Sequence, residues 1–121
     1  IGQNAFKNQS GLTGVVFSNN TGVIARSAFE GTNIDTLSIT SSVTTVADRA
    51  FANMSKLENV TWYYNPDTEL GSMVDVFKGS GTNSSTGKIN ITFHGTEAQW
   101  NDVKGKIGLT ESQYVLTRVD P

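Results

Sequence analysis

The sequence has no cysteine, one histidine (His94) and two prolines in 121 residues, and only 17% of its residues are charged. Without cysteine there is no disulfide framework, no thiolate metal site and no cysteine nucleophile. A single imidazole leaves little basis for a Ser-His-Asp triad or a multi-histidine metal cage. Nine Lys and Arg against eleven Asp and Glu give a net charge of −2, so no broad basic field marks a binder of nucleic acid or anionic lipid. No run approaches the roughly 20 apolar residues of a membrane helix, and no charged start followed by an apolar stretch marks a signal peptide. The chain begins at Ile1 without a methionine, which reads as a fragment of a longer protein. Its length has room for one domain, since single cores usually take about 100–200 residues.

What is abundant is Ser, Thr and Asn, with 12, 15 and 11 residues. Their placement follows a repeat. Ala5-Phe6, Ala28-Phe29 and Ala50-Phe51 recur at spacings of 23 and 22 residues, and Val76-Phe77 follows 26 further on. Five residues before the first three phenylalanines stand Ile1, Ile24 and Val46. After each comes apolar-x-x-apolar-x-apolar: Leu12, Val15, Phe17; Ile34, Leu37, Ile39; Leu57, Val60, Trp62. The fourth unit carries a Gly/Ser/Thr/Asn insertion from Gly79 to Gly87, then Ile89, Ile91 and Phe93 in strand alternation. Each alternating pair predicts a short strand with one buried face, and each Ala-Phe step a second inward anchor on the return side. One such unit cannot bury its own apolar face, so units must stack. Three residues beyond each strand stand Asn20, Ser42 and Asn65. The two asparagines either bond free backbone groups of adjacent turns or simply favour turns.

Ile-Gly-x-x-Ala-Phe at Ile1 to Phe6, the following Leu-x-x-Val-x-Phe, and Ser-Val-Thr-Thr-Val-Ala-Asp-Arg-Ala-Phe from Ser42 to Phe51 resemble BspA-like leucine-rich repeats. Phe93 to Asn101 is similar to the aromatic-x-Gly-Thr-Glu-x-x-Trp-Asn closure that often ends such arrays. The chain departs from the pattern in lacking the cysteine after Ala-Phe, in replacing the proline before the return (Ser18, Thr40) and in its stretched fourth unit. The resemblance implies an α/β repeat, a leucine-rich-repeat solenoid with short stacked strands, irregular or short helical return segments and a C-terminal capping helix. It also implies a bacterial, less often protist, cell-surface or secreted protein used for binding or adhesion. The expected organisation is one domain over 1–121: about four repeats at 1–95, the helix at about 96–107 and a terminal strand at about 113–119.

The helix expectation has its own physical basis. Thr96-x-x-Gln99 is a capping-box pattern, Glu97 complements the helix dipole, and Trp100, Val103 and Ile107 make one apolar stripe that would fold over the last coil. Gly108 is a plausible stop. Beyond it Tyr114, Leu116 and Arg118 alternate against Val115, Thr117 and Val119. Either Val115 and Val119 face the core, or the segment is a linker.

Candidate chemistry is sparse. His94 lacks an orienting carboxylate and nucleophile at any telling spacing and reads as a surface turn residue. Asn65-x-Asp67-x-Glu69-x-Gly71 loosely imitates a calcium loop but lacks the sixth-position glycine and the twelfth-position glutamate, so it reads as a solvated loop. Gly79 to Gly87 has no Lys-Ser/Thr pair for phosphate and reads as a flexible excursion. Asn-x-Ser/Thr sequons begin at Asn8, Asn19, Asn53, Asn59, Asn83 and Asn90, and matter only in a eukaryotic source. Paired carboxylates for glycan hydrolysis would have to be Glu58 and Asp35. No metal or cofactor is called for.

The outward strand positions are the better candidate for a site. Side chains alternating with the buried ones form columns across neighbouring units: Gly14, Val16, Ser18; Thr36, Ser38, Thr40; Asn59, Thr61, Tyr63; Asn90, Thr92, His94. The last three sets are expected to bind a protein or host-surface ligand, a glycan among the options, with Tyr63 and His94 as aromatic anchors. The expected function is therefore a noncatalytic binding or adhesion module, extracellular or on the cell surface, with no membrane insertion. The competing readings are a structural spacer that displays another domain and a carbohydrate-binding or carbohydrate-active domain.

Overall fold

The computed structural model describes residues 1–121. Alternating burial shapes three of the expected strands. In β2 (Thr36–Ile39), β4 (Asn59–Tyr63) and β5 (Ile89–His94), the side chains of Leu37, Ile39, Val60, Trp62, Ile89, Ile91 and Phe93 are buried while their neighbours point away. These strands pair in parallel in the order β2-β4-β5-β6, where β6 spans Tyr114–Val119. The register aligns equivalent repeat positions: Leu37 with Val60, Val60 with Ile91, Ile91 with Leu116. The β-branched residues five before Phe29 and Phe51 lie in a second, two-stranded parallel sheet of β1 (Val23–Ile24) and β3 (Thr45–Val46).

The return side is held by a different device. Phe6, Phe29, Phe51 and Phe77 stack nearly parallel, with successive ring centroids 5.2, 5.7 and 5.6 Å apart. Their backbone amides donate to Ala28 O (2.8 Å), Ala50 O (2.9 Å), Val76 O (2.9 Å) and Ile107 O (2.7 Å) respectively, always one turn onward. In every turn the residue two before the phenylalanine (Asn4, Ser27, Arg49, Asp75) and the residue two after it (Asn8, Gly31, Asn53, Gly79) have positive φ. L-residues resist that region by about 1–2 kcal/mol. Four successive non-glycine residues adopt it two before the ring because the ladder bonds on either side fix the chain there. Phe29, Phe51 and Phe77 are fully buried, whereas Phe6 is 40% exposed because only Phe29 covers it.

Several expectations need correction. Leu12 to Phe17 forms no strand: Phe17 is buried and Leu12 and Val15 are partly so, but the segment contains Gly14 and pairs with no sheet partner. Gly14, Val16 and Ser18 therefore do not extend the outward columns. The Gly79 to Gly87 insertion is tied down rather than flexible. Gly81 N–H donates to Met54 O and Asn83 N–H to Ser55 O, while the buried Ser80 hydroxyl donates to Phe51 O at 2.6 Å and accepts from Met54 N–H. Backbone groups left over by the longer unit thus find partners on the unit before it. Asn65 does bridge turns, donating to Ser41 O at 2.7 Å, and Ser42 reaches Thr21 O at 3.0 Å. Asn20 makes no such bond; its backbone N–H donates to Ser18 Oγ at 3.3 Å.

At the C-terminal end α1 spans Glu97–Val103, with the Thr96–Gln99 capping box formed in both directions. It is shorter than expected. Ile107 is buried from the turn beyond the helix, where its carbonyl accepts from Phe77. The helix is the connection between the parallel strands β5 and β6, so β6, and not the helix, is the outermost layer of the sheet. In β6, Tyr114, Leu116 and Arg118 continue the core-facing rows, being registered with Ile89, Ile91 and Phe93. Val115 and Val119 face outward instead of into the core, because Asn90 and His94 are their register partners. No helix is long and apolar enough to cross a membrane.

Gly108 tests the geometry of the last turn. Its φ is +76°, and a Cβ there would stand 2.9 Å from the Asp75 Cα, a backbone atom that cannot swing aside. Gly108→Ala is expected to lower stability by at least about 1–2 kcal/mol in urea unfolding. Gly105→Ala, three residues earlier and facing open space, is expected to leave it unchanged or slightly raised.

Candidate functional site

The period-2 alternation that buries one side of the strands projects three rows of side chains from the other. One row runs Thr36, Asn59, Asn90, Val115; the next Ser38, Thr61, Thr92, Thr117; the third Tyr63, His94, Val119, with Thr40 just past the end of β2 beside Tyr63. Eight of the nine residues expected from the sequence to form the site are strand positions on this face, and Thr40 lies one residue past the end of β2. The third strand position of each unit is flanked closely by its neighbours, since adjacent strands stand about 4.8 Å apart. None of these side chains is Asp, Glu, Lys or Arg.

Two contacts order the face. Asn90 Nδ2 donates to Asn59 Oδ1 at 3.2 Å, which fixes one amide against the other. Tyr63 and His94 stack with ring centroids 4.4 Å apart and planes 19° from parallel. His94 is thus the last residue of β5 and not a turn histidine. Tyr63 is 43% exposed and rests on its neighbour, which gives it a fixed orientation at little further entropic cost. Thr40 is turned partly away, its hydroxyl sharing a 2.9 Å hydrogen bond with Ser42. Sequence reasoning missed the contribution of β6, whose Val115, Thr117 and Val119 add a fourth column. Their alternation was visible, but both sides of β6 carry apolar residues and the period alone does not say which is buried.

The other candidates resolve differently. Glu58 Oε1 accepts from Ser85 N–H at 3.0 Å and so anchors the insertion. The surface has no concave pocket. In the calcium-like loop, Glu69 accepts from the Ser72 hydroxyl and from the amides of Gly71 and Ser72, contacts that hold its carboxyl below the usual value. Asn65 Oδ1 accepts from Asp67 N–H. These oxygens serve local turns.

One acidic residue with no mark in the repeat proves structurally engaged. Glu30, only 9% exposed, accepts from the Ser27 hydroxyl at 2.8 Å, from Arg49 Nε at 3.4 Å and from Asn53 Nδ2 at 3.3 Å. Its partners occupy the positive-φ positions of two successive turns, so the carboxylate pins the strained return turns together.

Parallel strands in equivalent register, one return turn per strand and a single stacked phenylalanine column define a repeat protein in which each unit supplies one layer. The chain matches the family model for the BspA type leucine rich repeat region (6 copies) over residues 1–102. It belongs to that family. Its repeats are generally noncatalytic scaffolds that mediate protein interactions, and they occur in surface proteins. Comparison with curated proteins and with solved structures finds no match.

Glu30 gives the return side a pH dependence. Burial raises its carboxyl, but the Ser27 hydroxyl bond, the Arg49 bond and charge, and the Lys7 charge outweigh burial and hold it below the usual 4.5. A depressed carboxylate contributes stability that is complete above the unfolded value and is lost as pH falls through the lower folded one. Glu30→Gln is expected to cost about 1–3 kcal/mol at neutral pH. Urea unfolding of both forms checks this: the gap between them is expected to close as pH drops below 4.5.

Proposed function

We propose that the chain is a noncatalytic binding or adhesion module of a bacterial cell-surface or secreted protein, and that it engages a protein or host-surface ligand through the outward face of the sheet. In this reading residues 1–121 are one solenoid domain, and α1 closes the return side of its last layer, with Trp100 and Val103 buried beneath it. The carrying observation is the face itself: an uncharged array of hydroxyl and amide groups around the stacked Tyr63–His94 pair. A neutral face avoids the cost of stripping water from formal charges on docking, and a positioned tyrosine is a common centre of binding energy. A noncatalytic role is supported by the family's scaffold character and by the engagement of Glu58 with Ser85.

The test is a binding screen against host matrix proteins and glycans, repeated with Tyr63→Ala combined with Thr61→Lys. Both positions are at least partly exposed, so folding should survive, as circular dichroism would verify. Affinity for the detected ligand is expected to fall about tenfold or more, the loss typical of a central aromatic anchor. Full retention of every detected interaction would refute binding through this face and favour the spacer reading. Glycan hydrolysis abolished by Glu58→Gln would refute the noncatalytic one.

A further inference from the structure

Tyr63 and His94 stack with their ring centroids 4.4 Å apart, close to the spacing of about 4.8 Å between adjacent strands. The stack therefore runs along the sheet, and both rings stand edge-up from it. Each ring covers one face of the other. The second face of Tyr63 turns toward β2, where the residue beside it is Thr40, one position past the Ile39–Trp62 pair. Thr40 is short and half-buried, and its hydroxyl is drawn to Ser42. It gives the ring a floor without a cover, in keeping with the 43% exposure of Tyr63. Other hydroxyls of the face are in the opposite state. Those of Thr36, Ser38, Thr61, Thr92 and Thr117 are all at least partly exposed, and no hydrogen bond within the chain engages them. Charged side chains resume only at the ends of the strands, where Asp35, Glu58 and Lys88 immediately precede β2, β4 and β5.

We infer that this aromatic step takes a neutral sugar. One pyranose ring lies with its C–H face against the open face of Tyr63, above Thr40, and its hydroxyl groups exchange hydrogen bonds with Ser38 and Thr61. The inference rests on the reading that the sheet face is the binding surface, and it names the chemistry of the host-surface ligand bound there. Three features select this class. A ligand that displaces water from unengaged hydroxyls has to return both donors and acceptors to them, which a sugar does and an apolar molecule does not. The open ring face carries the negative part of the aromatic quadrupole and favours weakly positive C–H groups, which line the face of a pyranose. None of the outward side chains is charged, so an acidic sugar finds no cation and an arginine no carboxylate to offset its lost hydration. Size argues against a folded protein. Three outward positions span about 13 Å along a strand, whereas a standard interface takes about 800 Å² from each partner, a patch about 28 Å across.

Titration of the isotope-labelled chain, followed by nuclear magnetic resonance, tests the inference. The probes are neutral oligosaccharides of glucose, N-acetylglucosamine, mannose and galactose, with heparin fragments as the acidic comparison. At least one neutral sugar is expected to give saturable shifts at Ser38, Thr40, Thr61 and the Tyr63 ring, and heparin none. Tyr63→Ala is expected to weaken that binding about tenfold or more. Thr61→Val, which removes the hydroxyl at nearly unchanged shape, is expected to weaken it about three- to tenfold. The amide spectrum of each variant verifies that it is folded. Shifts confined to another part of the chain, or heparin bound as tightly as any neutral sugar, would overturn the inference. So would a lack of shifts with every neutral sugar; a matrix protein still held in a Tyr63-dependent way would then leave the sheet-face reading standing. A sugar bound equally well after Tyr63→Ala would count against both.

Discussion

Everything in this molecule depends on neighbouring turns keeping the same register on two sides at once. On the strand side the parallel ladder sets it. On the return side it is set by the phenylalanine amides, each donating to the turn that follows, with the rings stacked above those bonds. Either side alone would leave the other free to fan apart, and the core between them would open. The positive-φ residues on both sides of each ring are the conformational cost of turning the chain tightly enough to satisfy both ladders in about two dozen residues. Glu30 and Ser80 show how polar groups trapped between turns are made to reinforce that spacing, since no buried side-chain nitrogen or oxygen is left without a partner.

The same constraint explains what could be read from the sequence. A packing device repeated in register leaves a repeated signature, so the Ala-Phe steps, the alternating strand residues and the outward Thr36, Ser38, Asn59, Thr61, Asn90 and Thr92 were legible at once. The capping box of α1 was legible because it depends on residues three apart. What escaped was whatever depends on a neighbour from outside the period. The insertion looked loose because its partners, Met54 and Ser55, are backbone groups of another unit that no side-chain pattern reveals. The face of β6 was ambiguous because Tyr114, Val115, Leu116 and Val119 are apolar on both sides, and only the pairing with β5 decides which side is inward. Leu12 to Phe17 carries the full strand pattern and still forms none, for want of a partner.

The strand face illustrates a division of labour that repeats permit. Inward positions are occupied by apolar groups in β2, β4 and β5, and the return side by a single aromatic type. The outward positions are free to vary, yet here they converge on small neutral groups interrupted by one stacked aromatic pair. The uniformity makes the surface flat, and the pair gives it a landmark.

The return ladder also has a direction. Each bond from a phenylalanine amide runs toward the C-terminal end of the stack, so the peptide dipoles on that side add instead of cancelling. Their hydrogens point forward and their carbonyls back, the reverse of an α-helix. The first turn therefore carries a partial negative charge and the last a partial positive one. Lys7, in the first turn, sits at the end where a cation lowers the energy, and every turn added to such a stack extends the same built-in field.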